Sequence, residues 1–180
     1  MKLKVYPCKG LSGKIRAQPS KNYTTRYILA SALSEKGGVV ARPAKSDDAE
    51  ALKDCLKTLG SEIVQCDEAL FISGLNPRNV KEPVTLNPRN AGTVLRFLMG
   101  TSALFPEVRF ITEYKNSLGK RPNGDLLNAL EQLGARTESN NGRLPVTIYG
   151  GSLHGNSVTV SGEKSSQFLS SLLFLCPCLH

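Results

Sequence analysis

Ser20-Lys-Asn-Tyr-Thr-Thr-Arg-Tyr-Ile-Leu-Ala-Ser-Ala-Leu33 is polar at its head and apolar behind. Asn90-Ala-Gly-Thr-Val-Leu-Arg-Phe-Leu-Met99 has the same design, and so has Ser165-Ser-Gln-Phe-Leu-Ser-Ser-Leu-Leu-Phe-Leu175. Each reads as a buried helix whose first turn is small and polar. The interval between them is regular. Arg26 and Arg96 stand 70 residues apart, and Arg96 and Gln167 stand 71 apart. A period this long predicts tandem subdomains and not a solenoid.

A second, amphipathic helix follows in each full stretch. Asp47 to Gly60 places Leu52, Leu56 and Leu59 on one face, and Asn123 to Gly134 does the same with Leu126, Leu127, Leu130 and Leu133. Both end in Leu-Gly, where glycine suits the left-handed position beyond a helix end. Asp47 and Asp125 put acid in the first turn, which suits the helix dipole. Strands are predicted at Gly38–Arg42, Glu62–Gln65 and Ala69–Ser73 in the first stretch. In the second they are predicted at Val108–Thr112, Arg136–Ser139 and Leu144–Tyr149, the last two around the turn Asn140-Asn-Gly142. The repeated unit is therefore helix–strand–helix–strand–strand. The division expected is an N-terminal segment (1–13), unit one (14–83), unit two (84–150) and the start of a third unit (151–180), which reads as truncated.

Composition narrows the classes of function. With 40% hydrophobic and 21% charged residues, the 180-residue chain is neither disordered nor collagen-like. No apolar run approaches the ~20 residues of a membrane span, and no apolar signal core follows the N-terminal Met-Lys-Leu-Lys. A cytoplasmic location is expected. The five cysteines form no zinc-like pattern with histidine and are expected as reduced thiols. The formal charge of +8 favours anionic partners, but there is no Trp and no Lys/Arg run longer than two. Stacking platforms and basic tails for nucleic acid are thus poorly supported, and no membrane partner is expected.

The residues that stand out are single cations and small polar groups at helix starts: Lys21, Asn22 and Arg26; Asn90, Gly92 and Thr93; Ser165, Ser166 and Gln167. Free N–H groups and the positive dipole end make such places suitable for anions. Arg121, in Lys120-Arg-Pro-Asn-Gly-Asp125, precedes a further start, with Pro122 placed near the first helical position. Taken singly, a Ser or Asn before a helix is most often only a cap. Recurrence every 70 residues is what caps alone do not require. Other chemistry is poorly supplied: no Walker loop or dinucleotide glycine fingerprint occurs. His154 lies in an exposed loop, His180 is terminal, and Asp47-Asp48 reads as a helix start and not as a metal or general-base pair.

Four segments resemble one family, in order. Ser20-Lys-Asn-Tyr-Thr-Thr-Arg26 is similar to the Ser-Lys-Ser-x-x-x-Arg segment of 5-enolpyruvylshikimate-3-phosphate synthases, the 3-phosphoshikimate 1-carboxyvinyltransferases. Leu86-Asn-Pro-Arg-Asn-Ala-Gly-Thr-Val-Leu-Arg96 resembles their Gly-Asn-Ala-Gly-Thr-x-x-Arg segment, and Lys120-Arg-Pro-Asn-Gly-Asp-Leu-Leu and Ser165-Ser-Gln-Phe-Leu complete the series. The resemblance implies an α/β fold of the enolpyruvyl transferase type, an inside-out α/β barrel built from such units, of which this chain covers less than half. It implies transfer of the enolpyruvyl group of phosphoenolpyruvate to the 5-hydroxyl of 3-phosphoshikimate, with release of phosphate, in aromatic amino-acid synthesis. Lys21, Asn22, Arg26, Ser165, Ser166 and Gln167 would bind 3-phosphoshikimate. Lys21, Gly92, Arg121 and Gln167 would bind phosphoenolpyruvate. No metal or organic cofactor is implied.

Asn22 stands where the family has serine, and the acidic proton acceptor is expected in a second half with which residues 1–13 would pair. The chain alone is therefore expected not to turn over, and self-association through the third unit is expected. Two other readings stand beside this one. The first is a non-catalytic anion- or RNA-binding module on the same scaffold. The second is a relative of UDP-N-acetylglucosamine 1-carboxyvinyltransferase, which Asn90-Ala-Gly-Thr93 argues against.

Overall fold

The structure is a computed structural model and describes residues 2–155 and 157–179; Met1, Asn156 and His180 lie outside the described residues. Residues 2–20 precede the first regular element. Helix α1 (Lys21–Leu33) starts where the Ser20 hydroxyl accepts the Tyr23 N–H. A turn through Gly37, at φ 70°, leads into β1 (Gly38–Ala41). Helix α2 (Asp47–Thr58) is capped by Ser46 and left through Gly60, at φ 96°. The hairpin β2 (Ile63–Cys66) and β3 (Ala69–Ile72) closes the unit. The three strands form one antiparallel sheet in the order β1-β3-β2.

The second unit repeats this plan with one strand more. Strand β4 (Val84–Leu86) precedes α3 (Gly92–Ser102), β5 (Glu107–Phe110), α4 (Gly124–Gln132), β6 (Arg136–Asn140) and β7 (Arg143–Tyr149). The sheet order is β4-β5-β7-β6, with β4 parallel to β5 and the remaining pairs antiparallel. Strand β4 was not anticipated. It is three residues long between Pro83 and Pro88, too short to show an alternating pattern. The left-handed turn residues Asn141 and Gly142 sit between β6 and β7, where the Asn140-Asn-Gly sequence placed them.

The last helix packs onto the second unit. Helix α5 (Ser166–Leu175) lies against α3. The two helices approach closely enough that a Cβ on Gly100 would stand 2.4 Å from the Ser171 hydroxyl oxygen. That buried hydroxyl donates to the Arg96 carbonyl at 2.6 Å and accepts the Gly100 N–H at 3.1 Å. Around it, Phe97 packs against Phe174 with ring centroids 5.2 Å apart, and Phe168, Leu172 and Leu175 are buried. Two other apolar side chains of α5, Leu169 (50% exposed) and Leu173 (65%), face outward.

Candidate anion-binding site

Helix α3 starts without a side-chain cap. Ala91 occupies the cap position, so its first N–H groups are left open by side chains. The loop before it is held rigidly. Asn87 accepts the Arg89 N–H through its side-chain oxygen at 2.9 Å and donates to Glu113 at 2.7 Å. Arg89 adopts φ 51°, its carbonyl accepts the Thr112 hydroxyl at 2.7 Å, and its guanidinium pairs with Asp54 at 2.6 Å. The Asn87 bond holds the Glu113 carboxyl below its ordinary range. These contacts fix the direction in which Asn90-Ala-Gly enters the helix.

Over this start lies Arg121. Gly92 admits it: a Cβ at position 92 would stand 2.2 Å from Arg121 Nη1. Beside both is the half-buried Arg96 guanidinium. Its Nη1 donates to the Ser165 hydroxyl at 3.0 Å and to Gln167 Oε1 at 2.8 Å. Its Nε donates to Asn123 Oδ1 and its Nη2 to the Pro122 carbonyl, each at 3.4 Å. The guanidinium also lies 5.0 Å from the Phe168 ring centroid. Gln167 in turn donates from Nε2 to the Thr93 hydroxyl at 2.9 Å, and the Ser165 hydroxyl accepts the Gln167 N–H at 3.2 Å. Burial, then the neighbouring Arg121 charge, pushes the Arg96 pKa down. Among the described residues, no carboxylate pairs with either arginine. The starts of α3, α4 and α5 therefore meet around two cations without a counter-charge.

The first unit reaches this place less directly. Lys21 pairs with Asp48 at 3.2 Å, joining the start of α1 to that of α2. A cleft of about 350 Å³, lined by Asp47, Asp48, Arg89, Asn90, Ala91 and Tyr114, runs between them and the α3 start. Arg26 donates to the carbonyl of Asn22, on its own helix, at 3.0 Å and lies 5.1 Å from the Phe97 ring centroid. The structure thus gathers Gly92, Arg121, Ser165 and Gln167 into one cluster. Lys21 is paired with Asp48 instead, Asn22 and Arg26 stay on α1, and Ser166 is exposed beside Gln167.

Three residues of this arrangement had not been given their part by the sequence. Arg96 stood in a quoted motif, but an arginine in an otherwise apolar helix with no nearby acid was the available sign that it serves other side chains. Thr93 was quoted as part of a small polar start, and Asn123 as the head of a helix. In the structure Asn123 is buried and donates to the Arg121 carbonyl at 3.0 Å instead of capping α4. Pro122 precedes that cap residue and so falls outside the helix. Asp48 does sit in the first turn of α2 as read, with the Lys21 pairing added. Among the described residues, no group of His, Cys, Asp and Glu has the proximity to hold a metal ion, and no helix is long and apolar enough to cross a membrane.

In this α/β fold the starts of three helices come together around two arginines without a carboxylate partner among the described residues, a grouping of donors suited to anions. The comparisons make the class specific. The model of the family EPSP synthase (3-phosphoshikimate 1-carboxyvinyltransferase) matches residues 5–180. The 3-phosphoshikimate 1-carboxyvinyltransferase of Deinococcus radiodurans is 51% identical over 97% of this chain and 39% of its own length. That of Burkholderia pseudomallei is 34% identical over 92% of this chain and 37% of its own. The structure of EPSP synthase from Acinetobacter baumannii superposes with a TM-score of 0.76 at 26% identity, covering 91% of this chain and 37% of that one. The chain belongs to the EPSP synthase family. It spans about two fifths of the length of these relatives.

Proposed function

We propose that this chain forms one wall of a 3-phosphoshikimate 1-carboxyvinyltransferase site, taking phosphoenolpyruvate and 3-phosphoshikimate. The observation that carries this reading is the Arg121–Gly92 approach beside the Arg96–Gln167–Thr93 chain. It supplies clustered donors with no internal acceptor of matching charge. Both substrates are polyanions, and charge-assisted hydrogen bonds contribute roughly 1.5–3 kcal/mol each.

The roles proposed are those the family resemblance implies. Arg121 and the open α3 start at Gly92 hold phosphoenolpyruvate. Ser165, Ser166, Asn22 and Arg26 hold 3-phosphoshikimate, and Lys21 and Gln167 reach both. In the transfer, a proton adds to the methylene carbon of phosphoenolpyruvate as the 5-hydroxyl oxygen attacks its neighbouring carbon. The tetrahedral ketal then loses phosphate and a methyl proton, restoring the vinyl group. The residues here clamp the phosphates and orient the two carbons. Asp48 pairs with Lys21 at 3.2 Å, and the resemblance assigns the acidic proton acceptor to the second half of the family's fold.

Calorimetric titration of the 180-residue chain with 3-phosphoshikimate tests the reading. Lys21→Ala and Arg26→Ala are expected to weaken binding about tenfold or more, the loss of a single charge-assisted bond. Wild-type affinity in both variants would remove the assignment.

A further inference from the structure

We infer that Arg96 is the positioning residue of this site: its guanidinium locks the Gln167 side-chain amide so that nitrogen, and not oxygen, is presented at the start of α3. A side-chain amide has a donor end and an acceptor end of almost equal shape, and only its partners decide which way it points. Here the decision is made by a group that can only donate. Arg96 Nη1 stands 2.8 Å from Gln167 Oε1, a cation to which the amide nitrogen would be repelled. With the oxygen so fixed, Nε2 is forced toward α3, where it reaches Thr93 Oγ1 at 2.9 Å. One of its two hydrogens is used there, and the other remains for an incoming oxygen. An anion meeting this end of Gln167 finds a donor. The flipped amide would confront it with a lone pair.

The same guanidinium is largely committed to protein partners. It carries five N–H donors, and four of them go to protein acceptors: the Ser165 hydroxyl, Gln167 Oε1, Asn123 Oδ1 and the Pro122 carbonyl. These acceptors lie on two different helix starts, α4 and α5, while Arg96 itself is on α3. The Phe168 ring, 5.0 Å from the guanidinium carbon, limits how the plane can turn. Lysine could supply the charge at this position but not a planar fork reaching three directions. The inference thus separates Arg96, which orients, from Arg121, which stands over Gly92 with its end free to meet a ligand.

The amide orientation is a property of the free chain, so its test does not depend on the substrate reading; only the affinity arm rests on the function proposed above. In the ¹⁵N-labelled 180-residue chain, the two Gln167 side-chain protons should be well separated, with one protected from exchange by Thr93. Arg96→Lys should collapse that separation and speed exchange. Gln167→Glu, which gives the guanidinium a carboxylate, should raise the melting temperature, and this arm stands even if Arg96→Lys does not fold.

In titrations with phosphoenolpyruvate, Arg96→Lys should weaken binding tenfold or more in the wild-type background. In a Gln167→Ala background it should do so less than threefold, because the residue it acts through is gone. An unchanged Gln167 amide signal in Arg96→Lys, a lowered melting temperature in Gln167→Glu, or equal losses in the two backgrounds would each overturn the inference. Absence of phosphoenolpyruvate binding by the wild type would instead count against the proposed function, and the amide signal would still decide the role of Arg96.

Discussion

Gly92→Ala separates ligand binding from folding at this site. The added methyl carbon would stand 2.2 Å from Arg121 Nη1, 3.3 Å from its Cζ and 3.6 Å from its Cδ. No real Cβ tolerates the first distance, so something must move. What moves is the far end of a flexible, exposed side chain and not backbone. Gly92 is also the first residue of α3 and has no positive φ, so alanine fits its backbone. Glycine costs about 0.8–1.0 kcal/mol against alanine in a helix interior, and less at an end. Folding stability should therefore stay level or rise slightly. Anion affinity should not. Displacing the arginine removes a charge-assisted interaction of roughly 1.5–3 kcal/mol, which corresponds to about 10- to 150-fold in Kd. Thermal denaturation and phosphoenolpyruvate titration of the same variant provide both readings. Wild-type affinity with unchanged stability would refute the placing of Arg121 over Gly92 as the source of binding.

Three other outcomes follow from the packing. Gly100→Ala meets the Ser171 hydroxyl at 2.4 Å and its backbone oxygen at 2.9 Å; because backbone must yield, denaturant titration should show a loss of about 1–3 kcal/mol, and no loss would contradict the α3–α5 contact. All five cysteines are free, but burial, followed by the nearby Asp54 charge, pushes the Cys55 pKa up to about 12. Cys55 should thus be the last to react with a thiol reagent at pH 8, well after the exposed Cys8, Cys66 and Cys176, and rapid labelling of Cys55 in the folded chain would contradict its burial. Leu169 and Leu173 expose apolar surface on α5, so light scattering should show concentration-dependent association that Leu169→Lys/Leu173→Lys reduces; an identical profile in the double variant would place any association elsewhere.

What the sequence made legible was periodic. The five helices follow from apolar faces at helical spacing, and the Leu-Gly ends at Gly60 and Gly134 do take positive φ, 96° and 100°. What stayed hidden depends on contacts between segments distant in the chain. Strand β4 is recognisable only once β5 lies beside it, because a parallel pair leaves no hairpin signal. Asp48 serves Lys21 across 27 positions, and Arg96 serves Gln167 across 71; no local pattern encodes such a partnership. The recurrence of polar helix starts did point to the right places. It could not tell that three of those starts share one arginine, because that depends on how closely α3 and α5 pack at Gly100 and Ser171.

The central claim is that the gathered helix starts bind the two anionic substrates. Backbone and side-chain amide shifts of the ¹⁵N-labelled chain, followed while 3-phosphoshikimate and then phosphoenolpyruvate are added at 0.15 M salt, test it most directly. The account predicts saturable shifts confined to Lys21–Arg26, Ala91–Thr93, Arg121 and Ser165–Gln167, retained when salt is doubled. No shifts at these residues, or weak shifts spread over surface lysines and arginines that vanish with added salt as diffuse electrostatic binding does, would contradict it.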